Sequence, residues 1–168
     1  LILSSAIPLK EVKQNNRKEV FDFIVKELQE SAPLLAQTYS NRSGSYYGRI
    51  TRPVVHFLLA KLVLNAEIYA DDNWTDTQYP DGRDIYFEVD GNRLNAWQTV
   101  EAYCDSITAA GYRLEDNYEA NFAVYNESSA ENIFTIPMSK TLYTNQMQYL
   151  FRSRHYNHAK AYGLGGEN

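Results

Sequence analysis

The chain has 168 residues, of which 44% are apolar, so it is long enough to bury a core and corresponds to about one domain. Its formal net charge of −5 argues against a nucleic-acid-binding protein and gives no reason to expect binding to anionic membranes. The single cysteine, Cys104, excludes an internal disulfide. Aromatic residues are abundant, and most are tyrosine, an amphipathic ring suited to hydrated binding surfaces.

The first third of the chain predicts an extended lead-in followed by a helix. Residues 1–15 alternate in polarity around one proline. Asn16 then begins the helix in a capping-box-like arrangement with Glu19, and the apolar stripe of this helix ends near Ser31. Residues 36–47 are rich in Ser, Asn and Gly, so we expect a surface loop that leads to a second helix.

The second helix is predicted over Gly48–Ala70 and forms the centre of the fold. Thr51 can cap its first turn, and Pro53 lies in that turn. Proline is tolerated there, because the N–H groups of the first turn have no partner within the helix. Apolar residues cover most of its circumference, so it needs neighbours on more than one side. These residues are Val54, Val55, Leu58, Leu59, Leu62, Val63, Ala66 and Tyr69.

Beyond residue 70, polar connections alternate with further elements. Residues 71–92 predict a long polar connection, because proline and glycine interrupt any regular pattern. Residues 93–110 return to helical periodicity and stop at Gly111. Ile133–Met138 is the best strand candidate. The predicted apolar face of helix 93–110 consists of Leu94, Trp97, Val100, Cys104 and Ile107.

Four segments between residues 17 and 138 carry a family resemblance. They are VFDFIVKELQESAPLL, GRITRPVVHFLLAKLVLNAEIY, YCDSITAAGYRL and SSAENIFTIPM. In this order and spacing they resemble the SusD/RagB family. Its members are glycan-binding outer-membrane lipoproteins that Gram-negative gut and oral bacteria pair with a TonB-dependent transporter.

The resemblance implies a mainly α fold, with a tetratricopeptide-like helical scaffold, long loops and little β structure. Residues 1–114 are then a portion of that scaffold, and residues 115–168 are an irregular, loop-rich region of the same domain. No clean 34-residue repeat is visible. We expect the chain to be a fragment of a longer protein, located at the cell surface and held in the outer membrane by a lipid anchor outside these residues. Cys104 is predicted to be a buried helical residue and not that anchor.

The resemblance also implies a function. It predicts non-catalytic binding of an oligosaccharide or starch-like glycan for delivery to a SusC-like transporter, with a site built from loops and no fixed sequence motif. A sugar's C–H face packs on aromatic rings, while Asn, Gln or Arg side chains bond to its hydroxyls. The loop aromatics are Tyr118, Phe122, Tyr125, Tyr143, Tyr149 and Tyr156; from them we select Tyr125, Tyr143 and Tyr149, with Asn145 and Arg152 as hydrogen-bonding edges.

Other chemistry has weaker support. The acidic loop 71–90 could hold Ca²⁺, but Thr75 and Asp76 break the EF-hand pattern, and His155 and His158 have no third Cys or His ligand nearby. We therefore predict no cofactor or metal. A glycoside hydrolase requires two opposed carboxylates, and no acidic residue lies in a recognisable acid/base motif, so we predict that the chain is not an enzyme. A helical-repeat scaffold that binds a protein partner remains the alternative.

Overall fold

The computed structural model describes residues 13–73, 75–123 and 125–137. Residues up to 135 form one compact unit and residues from 136 form a second, of which only residues 136 and 137 are described. The described residues are 44% helix and 7% strand, which confirms a mainly α fold with little β structure. The tetratricopeptide-like arrangement and the division into 1–114 and 115–168 stay predictions. None of the described helices is long and apolar enough to cross a membrane.

The first unit contains four α-helices, two 3-10 turns and one β-hairpin within its described residues. In chain order, the elements are α1 (Arg17–Ser31), the first 3-10 turn (Ala32–Leu34), α2 (Arg52–Leu64), α3 (Ala66–Tyr69), β1 (Tyr86–Val89), β2 (Asn92–Asn95), α4 (Ala96–Ala109) and the second 3-10 turn (Tyr118–Phe122).

Helix α1 begins as predicted. The Glu19 N–H donates to Asn16 Oδ1 at 2.7 Å, and the Asn16 N–H donates to Glu19 Oε2 at 3.3 Å, which together form a capping box. One residue later, Arg17 Nε donates to the Asp71 carbonyl oxygen at 2.8 Å. The start of α1 is therefore fixed to the end of α3.

The predicted central helix is shorter than expected and is interrupted. Pro53 lies in the first turn of α2 as predicted, but the Thr51 side chain is fully buried and makes no capping bond. A proline at the second helical position removes one of the two N–H groups that such a cap uses. At the other end, Asn65 leaves helical geometry, and its side chain donates to the Lys61 carbonyl at 3.0 Å. The chain then resumes as α3.

The hairpin was not predicted, since residues 71–92 were expected to be an irregular connection. Strands β1 and β2 pair in antiparallel register, with Phe87 opposite Leu94. The two-residue loop Asp90–Gly91 has positive φ at both positions, 50° and 79°, as a type I′ turn requires. The Asp-Gly pair was the available signal in the sequence.

Helix α4 starts later than the periodicity predicted, and its buried face matches the predicted one only in part. Asn95 caps it through a capping box with Gln98. The prediction that Cys104 is buried is wrong, because this side chain is exposed. Gly111 ends the helix with φ of 98°, as predicted. The buried residues of α4 are Ala96, Thr99, Tyr103 and Ile107.

The core lies where α1, α2, α4 and the hairpin meet, and α2 packs most extensively against α4. The centroid of the Phe21 ring lies 5.6 Å from that of Tyr69 and 6.2 Å from that of Phe87. The Phe21 and Phe87 rings meet edge to face. On α2, the residues that face the interior are Val54, Val55, Leu59, Ala60 and Val63, while the predicted stripe residue Leu58 is partly exposed.

Residues 112–135 form an irregular segment attached to the helices. The strand predicted over Ile133–Met138 is absent from residues 133–137. Instead, the Arg113 N–H donates to the Ala130 carbonyl at 3.0 Å. The loop before α2 is also less superficial than expected, because Ser40 and Asn41 are fully buried. Asn41 Nδ2 donates to the Ser129 carbonyl at 2.5 Å, which joins the two loops.

Candidate functional site

Three aromatic side chains on the second 3-10 turn and just after it are exposed to solvent. Tyr118 is 68% exposed, Phe122 71% and Tyr125 84%. We call these three residues the aromatic surface. Large apolar side chains held out of the core on an ordered segment are typical of an interaction site.

The second 3-10 turn brings two of these rings together. Asn117 begins the turn, and its side chain accepts a hydrogen bond from the Glu119 N–H at 3.0 Å. The Tyr118 and Phe122 rings are 5.1 Å apart between centroids, with 60° between their planes. The pair is therefore angular, with one ring edge directed at the other, and each ring keeps an exposed face.

Asn121, which lies between the two rings in sequence, is buried and anchors the turn. Its Nδ2 donates to Glu131 Oε2 at 2.8 Å, and its Oδ1 accepts from the Ser129 hydroxyl at 2.7 Å. Its backbone carbonyl accepts from Asn132 Nδ2 at 3.3 Å and from the Asn126 side chain. These bonds hold the turn against residues 126–132.

Glu131 is the central acceptor of this hydrogen-bonded frame. Its Oε2 accepts from the Glu115 N–H at 3.0 Å as well as from Asn121. The bond from the Glu115 backbone, followed by that from Asn121, lowers the pKa of Glu131, because both bonds favour the charged form. In return, the Glu115 carboxylate accepts from the Ala130 N–H. The frame therefore depends on an ionised Glu131.

The frame is joined to the helical part of the unit through buried polar contacts. One is the bond from Asn41 to the Ser129 carbonyl described above. Another is Tyr112, whose hydroxyl accepts from the Ser40 N–H and donates to the Ile133 carbonyl, both at 3.4 Å. The Tyr112 ring also packs against Tyr39 at 4.9 Å. The aromatic surface consequently stands on a fixed base.

A shallow polar groove of about 430 Å³ lies beside this base. It is lined by Arg42, Ser43, Glu127 and Ser128. Of these, Glu127 lies two residues after Tyr125 in the sequence. The Arg42 guanidinium lies 3.5 Å from the Tyr39 ring centroid, so the ring holds it in place. The groove provides hydrogen-bond donors and acceptors next to the loop that presents the exposed rings.

Of the five predicted glycan-binding residues, only Tyr125 is among the described residues, and it is exposed. Tyr143, Asn145, Tyr149 and Arg152 lie outside the described residues. Tyr118 and Phe122, which were candidates in the wider aromatic set, lie beside each other on the same turn. The groove residues Arg42 and Ser43 were missed, because only the long-range contact of Asn41 with Ser129 brings them to this side of the unit.

The acidic loop provides little sign of a metal centre. Within the described residues, no three His, Cys, Asp or Glu side chains lie close enough together to hold a metal ion. Asp71 instead pairs with Arg17 at 3.5 Å, and Asp81 pairs with Arg83 at 3.3 Å. The prediction that the chain needs no cofactor stays a prediction, as does the weaker Ca²⁺ hypothesis.

The chain was compared with known proteins at three levels. No model of a protein family, no curated protein and no solved structure matches it.

Proposed function

We propose that this chain binds an oligosaccharide on the aromatic surface without catalysing a reaction. In the complete protein, located at the surface of the outer membrane, the bound glycan would be delivered to a SusC-like TonB-dependent transporter. The observation that carries the proposal is the exposure of Tyr118, Phe122 and Tyr125 on a segment whose backbone is tied down by buried hydrogen bonds.

Sugar recognition requires apolar faces next to polar edges. The C–H face of a pyranose ring can pack on an exposed aromatic face, and its hydroxyls need donors and acceptors at the side. The aromatic surface supplies the faces, and the groove supplies Arg42, Glu127 and two serine hydroxyls. Because the frame is ordered before the ligand arrives, little conformational entropy is lost on binding.

The carboxylates near the surface favour binding over hydrolysis. A glycosidase requires one carboxyl group with a raised pKa to act as the acid. The hydrogen bonds to Glu131 lower its pKa, and both Glu131 and Glu115 are engaged in holding backbone N–H groups of the frame. These roles are structural.

Isothermal titration of the chain with soluble malto-, xylo- and manno-oligosaccharides tests the proposal, with product release monitored in the same samples. We expect heat of binding with no product. Phe122→Ala or Tyr118→Ala should weaken binding by about fivefold, since stacking on one ring contributes on the order of 1 kcal/mol. Tyr79→Ala is a matched control, because Tyr79 is an exposed tyrosine on loop 71–85, outside the segment that carries the aromatic surface.

Two results would contradict the proposal. The absence of heat with every sugar would exclude a glycan site within this chain, and equal losses in Phe122→Ala and Tyr79→Ala would exclude the aromatic surface as its location. Released product would establish a hydrolase instead.

A second function, binding of a protein partner by the helices, is favoured by one observation. Three apolar side chains on α2 and α3 are exposed, namely Leu58 at 39%, Leu64 at 56% and Ile68 at 48%. A charged substitution such as Leu64→Asp would then abolish association with the partner transporter and leave oligosaccharide binding unchanged. If it leaves both unchanged, this face has no such role.

A further inference from the structure

A second cleft, of about 440 Å³, lies on a different part of the unit from the aromatic surface. It is bounded by the end of α1, the first turns of α2, the hairpin loop and α4. We call it the charged cleft. Its polar lining includes Gln29, Gln37, Arg52, His56, Glu88, Asp90, Tyr103 and Ser106.

Arg52 provides a fixed positive charge in the charged cleft. Its Nε donates to the Ala32 carbonyl at 3.0 Å, and its Nη2 donates to the carbonyls of Pro33 at 3.0 Å and Leu35 at 3.2 Å. These acceptors orient the guanidinium but carry no full charge. Among the described ion pairs none involves Arg52, so its charge is available to an anionic group.

Asp90 provides a negative charge in the same cleft. It occupies the first position of the hairpin loop with φ of 50°, a conformation that fixes its backbone. None of the described ion pairs involves it either. Its carboxylate is close enough to His56 and Tyr103 to act on the pKa of both groups. Arg52 also acts on His56, so the imidazole is near both charges.

Uncharged polar groups complete the lining. Burial raises the pKa of Tyr103, so its hydroxyl keeps its hydrogen at neutral pH while the oxygen accepts from Gln29 Nε2 at 3.1 Å. The His56 ring packs against Tyr103 at 5.4 Å, and its Nδ1 is buried without a hydrogen-bond partner among the described residues. A buried polar atom without a partner is unfavourable, and a bound polar group can supply one.

From this arrangement we infer that the charged cleft binds a free α-amino acid as its zwitterion. The α-carboxylate would pair with Arg52 and the α-ammonium with Asp90. The Tyr103 hydroxyl can donate a hydrogen bond to the ligand, and Gln29 Oε1 can accept one, since Gln29 Nε2 already donates to the Tyr103 hydroxyl and to the Glu88 carbonyl at 2.9 Å. A simple anion would meet Asp90 and Glu88, and a simple cation would meet Arg52, so a ligand that carries both charges is favoured. The inference is independent of the oligosaccharide proposal.

The remaining lining indicates the type of side chain. Leu59, Val89, Pro33, Ala32 and Ala109 border the cleft and are apolar. An aliphatic amino acid such as leucine therefore suits the cleft, because its side chain has no polar group that would need a hydrogen-bond partner there. The cleft volume of about 440 Å³ is far larger than the roughly 30 Å³ that one water molecule occupies in the liquid. The cleft therefore has room for a small ligand such as an amino acid.

Isothermal titration of the full chain with L-leucine and two analogues tests the inference. 4-Methylpentanoate lacks the ammonium group, and 3-methylbutylamine lacks the carboxylate. We expect leucine to bind at least tenfold more tightly than either, which corresponds to about 1.4 kcal/mol. Equal affinities for leucine and one analogue, or no heat with leucine, would overturn the inference.

Asp90→Asn provides the decisive variant. Asparagine tolerates positive φ, so the hairpin loop is retained. We expect leucine affinity to fall about tenfold, with affinity for 4-methylpentanoate unchanged or increased. Asp105→Asn removes an equal charge from the exposed side of α4 and should leave leucine binding unchanged. Equal losses in both variants would contradict a direct contact with Asp90. Oligosaccharide binding should be the same in both variants, which separates this test from the proposed glycan function.

Discussion

The indole of Trp97 lies so close to Gly82 that a methyl group at residue 82 would come within 2.4 Å of ring atom Cζ2. The backbone at Gly82 is held from both sides, because its N–H donates to Glu67 Oε1 at 2.8 Å and its carbonyl accepts from the Ala96 N–H at 3.0 Å. Trp97 thus fills a groove between loop 71–85 and the start of α4.

Gly82→Ala is expected to destabilise the fold by about 1–3 kcal/mol, because the indole must move out of the groove. The free energy of unfolding in urea measures this loss. In a Trp97→Ala background the same glycine substitution should have little effect, since the obstructing ring is gone. A similar loss in both backgrounds would show that the indole is not the cause.

Asn121→Ala should destabilise the chain by about 1–3 kcal/mol, because it removes the buried amide that bonds to both Glu131 and Ser129. It should also increase amide hydrogen exchange across residues 115–132 more than elsewhere. Asn117→Ala, which removes only the exposed cap of the same turn, should lower stability by about 0.5 kcal/mol. If both variants behave alike, the buried frame does not hold the aromatic surface.

Glu131 should make stability depend on acid pH. Because its pKa is lower in the folded state than its ordinary value of 4.5, it stabilises the fold at pH values above 4.5, and this contribution is lost as the pH falls through the lowered pKa. Urea unfolding from about pH 3 to about pH 7 should therefore show the largest difference between wild type and Glu131→Gln near neutrality, shrinking towards acid.

His56 should titrate below its ordinary value of 6.5, because burial disfavours the imidazolium and Arg52 repels it, with Asp90 partly opposing both. A histidine with a lowered folded pKa takes up its proton more readily when unfolded, so stability declines as the pH falls from 6.5 towards that pKa. Proton–carbon NMR titration follows this, with His56→Gln to separate its signal from those of His155 and His158.

The same titration tests the position of Asp90. Asp90→Asn should lower the pKa of His56 further, since it removes the group that favours the imidazolium. Asp105→Asn should leave the pKa unchanged. A pKa of His56 at or above 6.5 in wild type would contradict the described surroundings of the ring.

Local signals in the sequence predicted the features that depend on neighbouring residues. The Asn16 and Glu19 capping box, the position of Pro53 and the stop at Gly111 each follow from backbone geometry within one helical turn. Tyr118 and Phe122 were candidates because they are aromatic residues in a segment predicted to be a loop, where a sugar ring could pack on them. Their exposure fits that reasoning.

Features that depend on distant partners were predicted poorly. Helix α4 buries Tyr103, whose hydroxyl accepts a hydrogen bond from Gln29 on α1, and it exposes Cys104. Hydrophobic periodicity alone favours burial of the cysteine, because it does not include the distant partner of the tyrosine hydroxyl. The burial of Asn121 likewise depends on Ser129 and Glu131, eight and ten residues away. The charged cleft could not be predicted from the sequence, because its charges come from Arg52 and Asp90, which lie on separate elements.

The hydrogen bonds from Arg52 to the carbonyls of residues 32, 33 and 35 have a consequence for folding. The Arg52 guanidinium, at the start of α2, lies at the negative end of the dipole of the first helix and its 3-10 extension. The end of α1 and the start of α2 therefore stabilise each other. The last turn of α1 and the first turn of α2 are therefore expected to open and close as one cooperative unit, even though they are separated in the chain by a long loop.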